Sequence, residues 1–316
     1  MKVACVYDDN HHWPKFRWVA RTLEKLGHDV LSVHSIDELN EADKSCDLVL
    51  FAHYSAGLNI ADVVKIAETK KSFWCQWWFD LLRPNKACPY PASGTVDVHQ
   101  KMLRSMDAVL CKEKNGLREL NGIGIKAHYM DQGVPTGLPV IPWVENPEFD
   151  IVLWGKCGLT YFQRREDIKF LVGKGFKVLW GGCVDEDPVQ GVSVTEFVAP
   201  KDLATFASRG RAIVNVDCVY GVEGFTSDRT WMTLMIGGAS AVRDGNKLPW
   251  APMLTYGTHE SLLRHVDLIC GHNDYRKELS KRARLWAEEN VSTEIRCKEV
   301  LELCQRLRNQ SPEPRR

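Results

Sequence analysis

The stretch whose reading decides the fold is Val219–Ala241, VYGVEGFTSDRTWMTLMIGGASA. It follows Ala212-Ile-Val-Asn-Val216, an apolar run with the length and β-branched content of a buried strand. Thr226-Ser227-Asp228 carries side-chain oxygens suited to cap a helix that begins near Arg229. Gly237-Gly238 stops that helix, and Ala239–Val242 has the composition of the next strand. A strand, a loop, free helix N–H groups and a guanidinium at one helix start form a seat for an anion, and a phosphate fits it best. An ordinary capped helix in an α/β sheet has the same composition, so the stretch takes its meaning from its surroundings.

Upstream, short apolar runs alternate with segments of helical period. Strands are predicted at Lys2–Tyr7, Asp29–Val33, Asp47–Ala52, Phe73–Phe79, Ala108–Cys111 and Ala127–Met130. Helices are predicted at Pro14–Leu26, Asn59–Lys70, Val98–Met106 and Gly116–Leu120. Pro135, Pro139, Pro142 and Pro147 then mark a stiff linker, after which the alternation restarts at Ile151–Trp154. Strand–helix alternation argues for parallel sheets wrapped by helices. The expected fold is therefore α/β, with two doubly wound, Rossmann-like domains facing a central cleft. Residues 1–140 form the first and 141–290 the second, a last helix at about 291–308 packs back on the first, and 309–316 is a disordered tail.

With 316 residues the chain has room for two ordinary cores. Lys plus Arg and Asp plus Glu are both 41, so no global field recruits nucleic acid or an anionic membrane. The 11 cysteines contain no Cys-x-x-Cys pair, and free buried thiols are expected rather than a zinc site or a disulfide framework. The N-terminus lacks the apolar core of a signal peptide, and no run approaches the ~20 apolar residues of a membrane span. A soluble, cytoplasmic protein is expected.

Ligands of open α/β sheets bind beyond the carboxyl ends of the strands, so the loops after strands carry the chemistry. In the second half these are Gly155-Lys156-Cys157-Gly158 with Arg164 and Arg165 close behind, Gly181-Gly182, and Phe197-Val198-Ala199-Pro200. Glycines let backbone amides approach an anion, and Lys156 with Arg164 or Arg165 supplies positive charge. In the first half Asp8-Asp9-Asn10-His11-His12 follows the first strand, and Asp80 ends the tryptophan-rich run Phe73–Phe79. Both places offer groups that can act as a general base.

Ser227-Asp228-Arg229-Thr230-Trp231-Met232, with Gly237 in register, resembles a Ser-Asp-Arg-(Thr/Leu)-Phe-Glu-x-x-x-x-Gly segment of the GT-B nucleotide-sugar glycosyltransferases, in particular their CgeB-like, group-1-related branch. Tyr129–Val134, Gln76–Asp80 and the C-terminal stretch Leu254–Leu303 are similar to further parts of that family. The resemblance implies a GT-B glycosyltransferase, a hexosyl- or pentosyltransferase, moving a sugar from a nucleotide sugar, taken as a UDP-sugar, to an acceptor hydroxyl. It implies no essential metal, no covalently bound cofactor, and retention of anomeric configuration. Thr226, Ser227, Asp228, Arg229, Lys156, Arg164 and Arg165 would hold the diphosphate. Gly181, Gly182, Val198, Ala199, Pro200 and Met232 would frame the base and ribose. Asp80, His12, Asp9 and Glu223 are the catalytic candidates.

One departure stands out. Met232 occupies the place of a glutamate that holds the donor ribose in the related enzymes, and a thioether accepts no comparable hydrogen bond. The acceptor is open among a hydroxymethylated DNA base, a glycan and a small molecule. A nucleotide-binding module without turnover and a sugar-nucleotide epimerase are the alternatives.

Overall fold

The structure, a computed structural model, describes residues 1–8, 15–52, 57–79, 96–158, 161–182, 188–216, 223–224, 226–243 and 251–310. In the first domain, strands β1 (Lys2–Val6), β2 (Asp29–Val33), β3 (Leu48–Ala52), β4 (Phe73–Trp78), β5 (Ala108–Cys111) and β6 (Ala127–Tyr129) form one sheet. Its order is β2-β1-β3-β4-β5-β6 and every pairing is parallel. Helices α1 (Lys15–Lys25), α2 (Ile36–Ser45), α3 (Ile60–Ala67), α4 (Val96–Ser105) and α5 (Lys114–Gly122) connect the strands. A parallel sheet covered on both faces needs apolar side chains in both directions. β4 meets that need: Trp74 and Trp78 enter the core with Val49 and Phe51, while Phe73, Cys75 and Trp77 enter the core on the other face with Phe16 and Leu23.

The second domain repeats the plan with β7 (Phe149–Trp154), β8 (Val178–Gly181), β9 (Ser193–Thr195), β10 (Gly210–Asn215), β11 (Ser240–Arg243) and β12 (Leu254–Tyr256). The order is β12-β11-β10-β7-β8-β9, again parallel throughout. Its helices are α6 (Phe162–Gly173), α7 (Leu203–Ala207), α8 (Asp228–Met235), α9 (His259–Gly271) and α10 (Asn273–Asn290). Strand order reverses between β7 and β10, which opens a crevice beyond their carboxyl ends. The corresponding reversal in the first sheet lies between β1 and β3.

The final helix, α11 (Thr293–Gln310), returns to the first domain. Cys297, Val300, Leu301, Leu303 and Cys304 pack into the core that holds Val19 and Leu23 of α1. Gln310 is still helical, so order extends into the segment expected to be a disordered tail. No helix among the described residues is long and apolar enough to cross a membrane. Two elements escaped the sequence reading. α2 is mostly polar, although Ser35 and Glu38 form a reciprocal capping box at its start. β12 is a three-residue edge strand.

The chain thus crosses between domains twice, and the two crossings lie side by side. The Val134 N–H donates to the Val291 carbonyl (3.0 Å) and the Thr293 N–H to the Val134 carbonyl (2.9 Å). Gly133 permits this approach, since a Cβ there would stand 2.6 Å from the Thr293 Cα. Beside it, the buried Asp131 carboxylate accepts from the Trp231 Nε1 of α8 (3.1 Å) and from the Gln132 N–H (2.7 Å). Burial pushes its pKa up to about 6, against the partial offset of the Lys112 and Arg296 charges and those two hydrogen bonds.

Two outcomes follow at these crossings. Gly133→Ala, which forces backbone against backbone, is expected to cost about 1–3 kcal/mol in urea denaturation. A loss under about 0.5 kcal/mol would show that the crossings are not tightly packed. Asp131 has a folded pKa above its unfolded value of about 3.9, so its ionisation costs stability. That cost is full above pH 6 and is relieved as pH falls through 6. Between pH 7.5 and pH 5 the wild type should gain about 1.5 kcal/mol relative to Asp131→Asn. Parallel stability–pH curves for the two proteins would contradict this.

Candidate functional site

The crevice at the β7/β10 reversal is floored by glycine. Gly155, just after β7, has φ +106°, and Gly182, just after β8, has φ +85°. A Cβ on Gly182 would sit 3.7–3.8 Å from the Gly155 backbone, so the two loops lie against each other. The Gly155 N–H donates to the Gly181 carbonyl (2.9 Å), which fixes their register. Above this floor lies Arg229, in the first turn of α8. A Cβ at position 155 would come within 2.6 Å of its guanidinium, so only glycine permits the stacking. Among the described residues the Arg229 guanidinium has neither a hydrogen-bond partner nor an ion-pair partner.

The start of α8 is capped as the sequence predicts: the Ser227 side chain accepts from the Arg229 N–H at 3.3 Å. Asn215, the last residue of β10, anchors the helix through its Nδ2 to Thr233 Oγ1 (2.9 Å), and that hydroxyl donates to the Arg229 carbonyl (2.8 Å). The helix N-terminus, the guanidinium and the glycine floor therefore converge on one point at the topological reversal.

Arg164 and Arg165 have a different place from the one expected. Arg164 is buried, and its Nε and one terminal nitrogen donate to the Val216 carbonyl (3.1 and 2.9 Å) while the other donates to the Lys156 carbonyl. Val216 follows β10 and Lys156 follows β7, so this guanidinium staples the two loops that bound the crevice. Arg165 donates to the Cys157 carbonyl (2.9 Å) in the same way. Arg164, with all three guanidinium nitrogens bonded to the chain's own carbonyls, is placed as a brace, and Arg165 turns one terminal nitrogen to the same use. Lys156 is exposed at the rim. Cys157 is in a disulfide whose partner lies outside the described residues, which corrects the expectation of free thiols at that position.

The α8 cap also docks on the first domain, through residues that the sequence reading missed. Lys15 at the start of α1 pairs with Asp228 at 2.9 Å. The buried Lys112, just after β5, donates to the Thr226 carbonyl at 3.4 Å. Tyr129 donates its hydroxyl to the Gly224 carbonyl at 3.0 Å. Burial opposes the charge on Asp228, but Lys15, Lys112 and Arg229 outweigh it and hold the pKa at about 2. An ionised carboxylate repels phosphate, so only the backbone of Asp228 is suited to an anion, and its side chain acts as a domain clasp. Glu223 is a second clasp, not a poised base. It is exposed, pairs with Lys114 (2.9 Å) and Arg118 (3.6 Å), and those contacts lower its pKa. Spacing carries no signal for such pairs; Lys112 and Thr226 are 114 residues apart.

Of the residues expected at the base and ribose, Gly181 and Gly182 line the floor. A Cβ on Gly181 would strike Val198 at 2.6 Å and Phe206 at 3.0 Å, so the Val198 side chain belongs to the core and only its backbone faces outward with Ala199 and Pro200. Ala199 caps a short 3-10 turn begun by Pro200, and Phe197 beside it is largely exposed. Met232 is 1% exposed and packs with Trp154, Trp231 and Met235. It is a core residue, so the expected contact with a ribose is corrected: an apolar side chain turns inward where a carboxylate would have to face water. Asp9, His11, His12 and Asp80 lie outside the described residues. Asp8 is exposed at the carboxyl end of β1. Among the described residues no His/Cys/Asp/Glu cluster is placed to hold a metal ion.

No family model matches the chain, and no curated protein matches it by sequence. Solved structures do match it over nearly its whole length. Sucrose-phosphate synthase from Thermosynechococcus elongatus superposes with a TM-score of 0.68 at 13% identity, covering 98% of this chain and 100% of that one. HepE from Anabaena, solved in complex with UDP, gives 0.65 at 8% identity over 97% and 100% of the two chains. The β-glucosyltransferase of phage T4 gives 0.65 at 11% identity over 96% and 99%. Identities this low speak to architecture alone. The chain has the GT-B fold of these glycosyltransferases, with two parallel six-stranded sheets each wrapped by helices.

Proposed function

We propose that the protein transfers a sugar from a nucleotide-sugar donor, a UDP-sugar, to an acceptor hydroxyl without the help of a metal ion. The observation that carries this reading is Arg229: a guanidinium without a partner among the described residues, at a capped helix N-terminus, stacked on glycine at the β7/β10 reversal. The donor diphosphate would lie against the α8 amides and Ser227, bridged by Arg229 and approached by Lys156. Fixed dipoles and cations there stabilise the charge that develops on the departing diphosphate, which is the part a metal ion plays elsewhere. The base would rest beside Phe197–Pro200, whose exposed aromatic ring suits a flat heterocycle. HepE and the phage T4 enzyme have both been solved with UDP-glucose, in keeping with this donor.

The acceptor would enter from the first domain, beyond the β1/β3 reversal and the end of β4. With retention, the leaving diphosphate oxygens assist deprotonation; with inversion, Asp9, His12 or Asp80 would act as base. A β-glucosyltransferase that the chain also resembles in structure is a DNA-modifying enzyme, and a hydroxymethylated DNA base is accordingly one acceptor to test beside glycans and small molecules. A second reading, nucleotide binding without turnover, draws on Met232, since α8 offers no carboxylate to a ribose at that position.

One experiment separates the readings: thermal stability and free-nucleotide release across a panel of nucleotide sugars, with and without acceptors. At a ligand concentration of 100 times Kd, binding adds about 2.7 kcal/mol of stability. UDP-sugar stabilisation together with UDP release is the expected result. Stabilisation without release would leave the binding module, and no stabilisation of folded protein by any nucleotide would reject both. Arg229→Ala should weaken nucleotide binding about ten- to hundred-fold, the worth of a charged hydrogen bond, with the melting temperature of the free protein unchanged. Unaltered affinity would remove Arg229 from the site.

A further inference from the structure

A second cationic recess lies at the opposite, amino-terminal edge of the second sheet. It is bounded by Trp143 and Val144 of the linker, Ser208 and Gly210 before and at the start of β10, Arg211, and Arg276 in the first turn of α10. Its volume is about 40 Å³, roughly three times the 10–15 Å³ that admits one water. Three features of its charge are unfavourable in an empty site. Arg276 is only 4% exposed, and its buried Nε has no hydrogen-bond partner among the described residues. It sits in the first turn of an 18-residue helix, where the macrodipole disfavours a cation. Burial and the neighbouring Arg211 charge both pull its pKa down.

The remaining N–H groups show how the pair is held. Arg276 donates to the Val144 and Glu145 carbonyls (2.7 and 3.1 Å) and stacks 4.3 Å from the centre of the Trp143 ring. Arg211 donates to the Cys270 carbonyl (3.2 Å) and to Asn146 Oδ1 (3.1 Å). Among the described residues neither guanidinium has a carboxylate within ion-pair distance, and the exposed Glu145 is the acid whose charge reaches Arg276. Two guanidiniums that line one recess, one of them buried, gain most from a shared oxyanion that bonds both.

We propose that this recess is an anion site, separate from the nucleotide crevice, that takes a phosphate-sized oxyanion between Arg211 and Arg276. Because residues 141–144 form one wall, an occupant ties the interdomain linker to β10 and α10.

Inorganic phosphate is the probe, titrated calorimetrically at constant ionic strength into full-length protein already saturated with UDP, so that the crevice cannot account for the heat. One phosphate per chain is expected, with affinity at least ten-fold weaker in Arg211→Gln. Ser208→Glu, which introduces a carboxylate at the lining while leaving both arginines in place, should abolish binding, and it serves where Arg211→Gln folds poorly. Absence of saturable phosphate binding in the wild type, or binding unaltered in both variants, would overturn the proposal. Should the protein bind no UDP, sensitivity of the phosphate heat to Ser208→Glu still locates the site.

Discussion

A side chain at position 155 and the Arg229 guanidinium cannot occupy the same space, and the crevice depends on that exclusion. Glycine at 155, with φ far into the left-handed region, lets α8 lower its first turn onto the end of β7. The helix is held there by the Asn215–Thr233 link below and by the Arg164 staple, which draws the β7 and β10 loops together. Each contact is modest alone, since a net hydrogen bond is worth about 1 kcal/mol. Together they present helix N–H groups and a cation in a fixed geometry, and such preorganisation is what stabilises developing negative charge.

The same helix start couples the domains. Asp228 is held ionised by first-domain lysines, while Asp131, also at the domain boundary, is pushed toward neutrality by burial. The two carboxylates respond to acid with opposite sign. The Asp228 contribution is present above its unfolded pKa of about 3.9 and fades as pH falls toward 2, whereas Asp131 relaxes as pH falls through 6. Trp231, one turn along α8, donates to Asp131, so a single helix touches the β7/β10 crevice, the interdomain crossings and the first-domain lysines. Any ligand that shifts the α8 cap must act on the domain contacts as well.

Much of the architecture was legible because parallel strands buried on both faces leave an unmistakable record. Phe73–Trp78 is one such run, and the Ser227 cap is another local signal, set by a hydroxyl two residues from the N–H it accepts. Local signals failed where the element was polar or short, as with α2 and β12. At the site, residue type misled where burial decides the role. Arg164, Arg165 and Met232 have plausible chemistry for a donor, yet all three point into the protein. Lys15 and Lys112 carry no pattern at all, since their partners lie across the domain boundary.

The central claim is that the α8 N-terminus, Arg229 and the Gly155–Gly182 floor together seat a diphosphate. A crystal structure with bound UDP tests it most directly. The account predicts the β-phosphate oxygens within hydrogen-bonding distance, about 2.7–3.2 Å, of the Arg229 guanidinium and the α8 backbone N–H groups. UDP bound elsewhere, or bound in the crevice with Arg229 turned away from its phosphates, would contradict it.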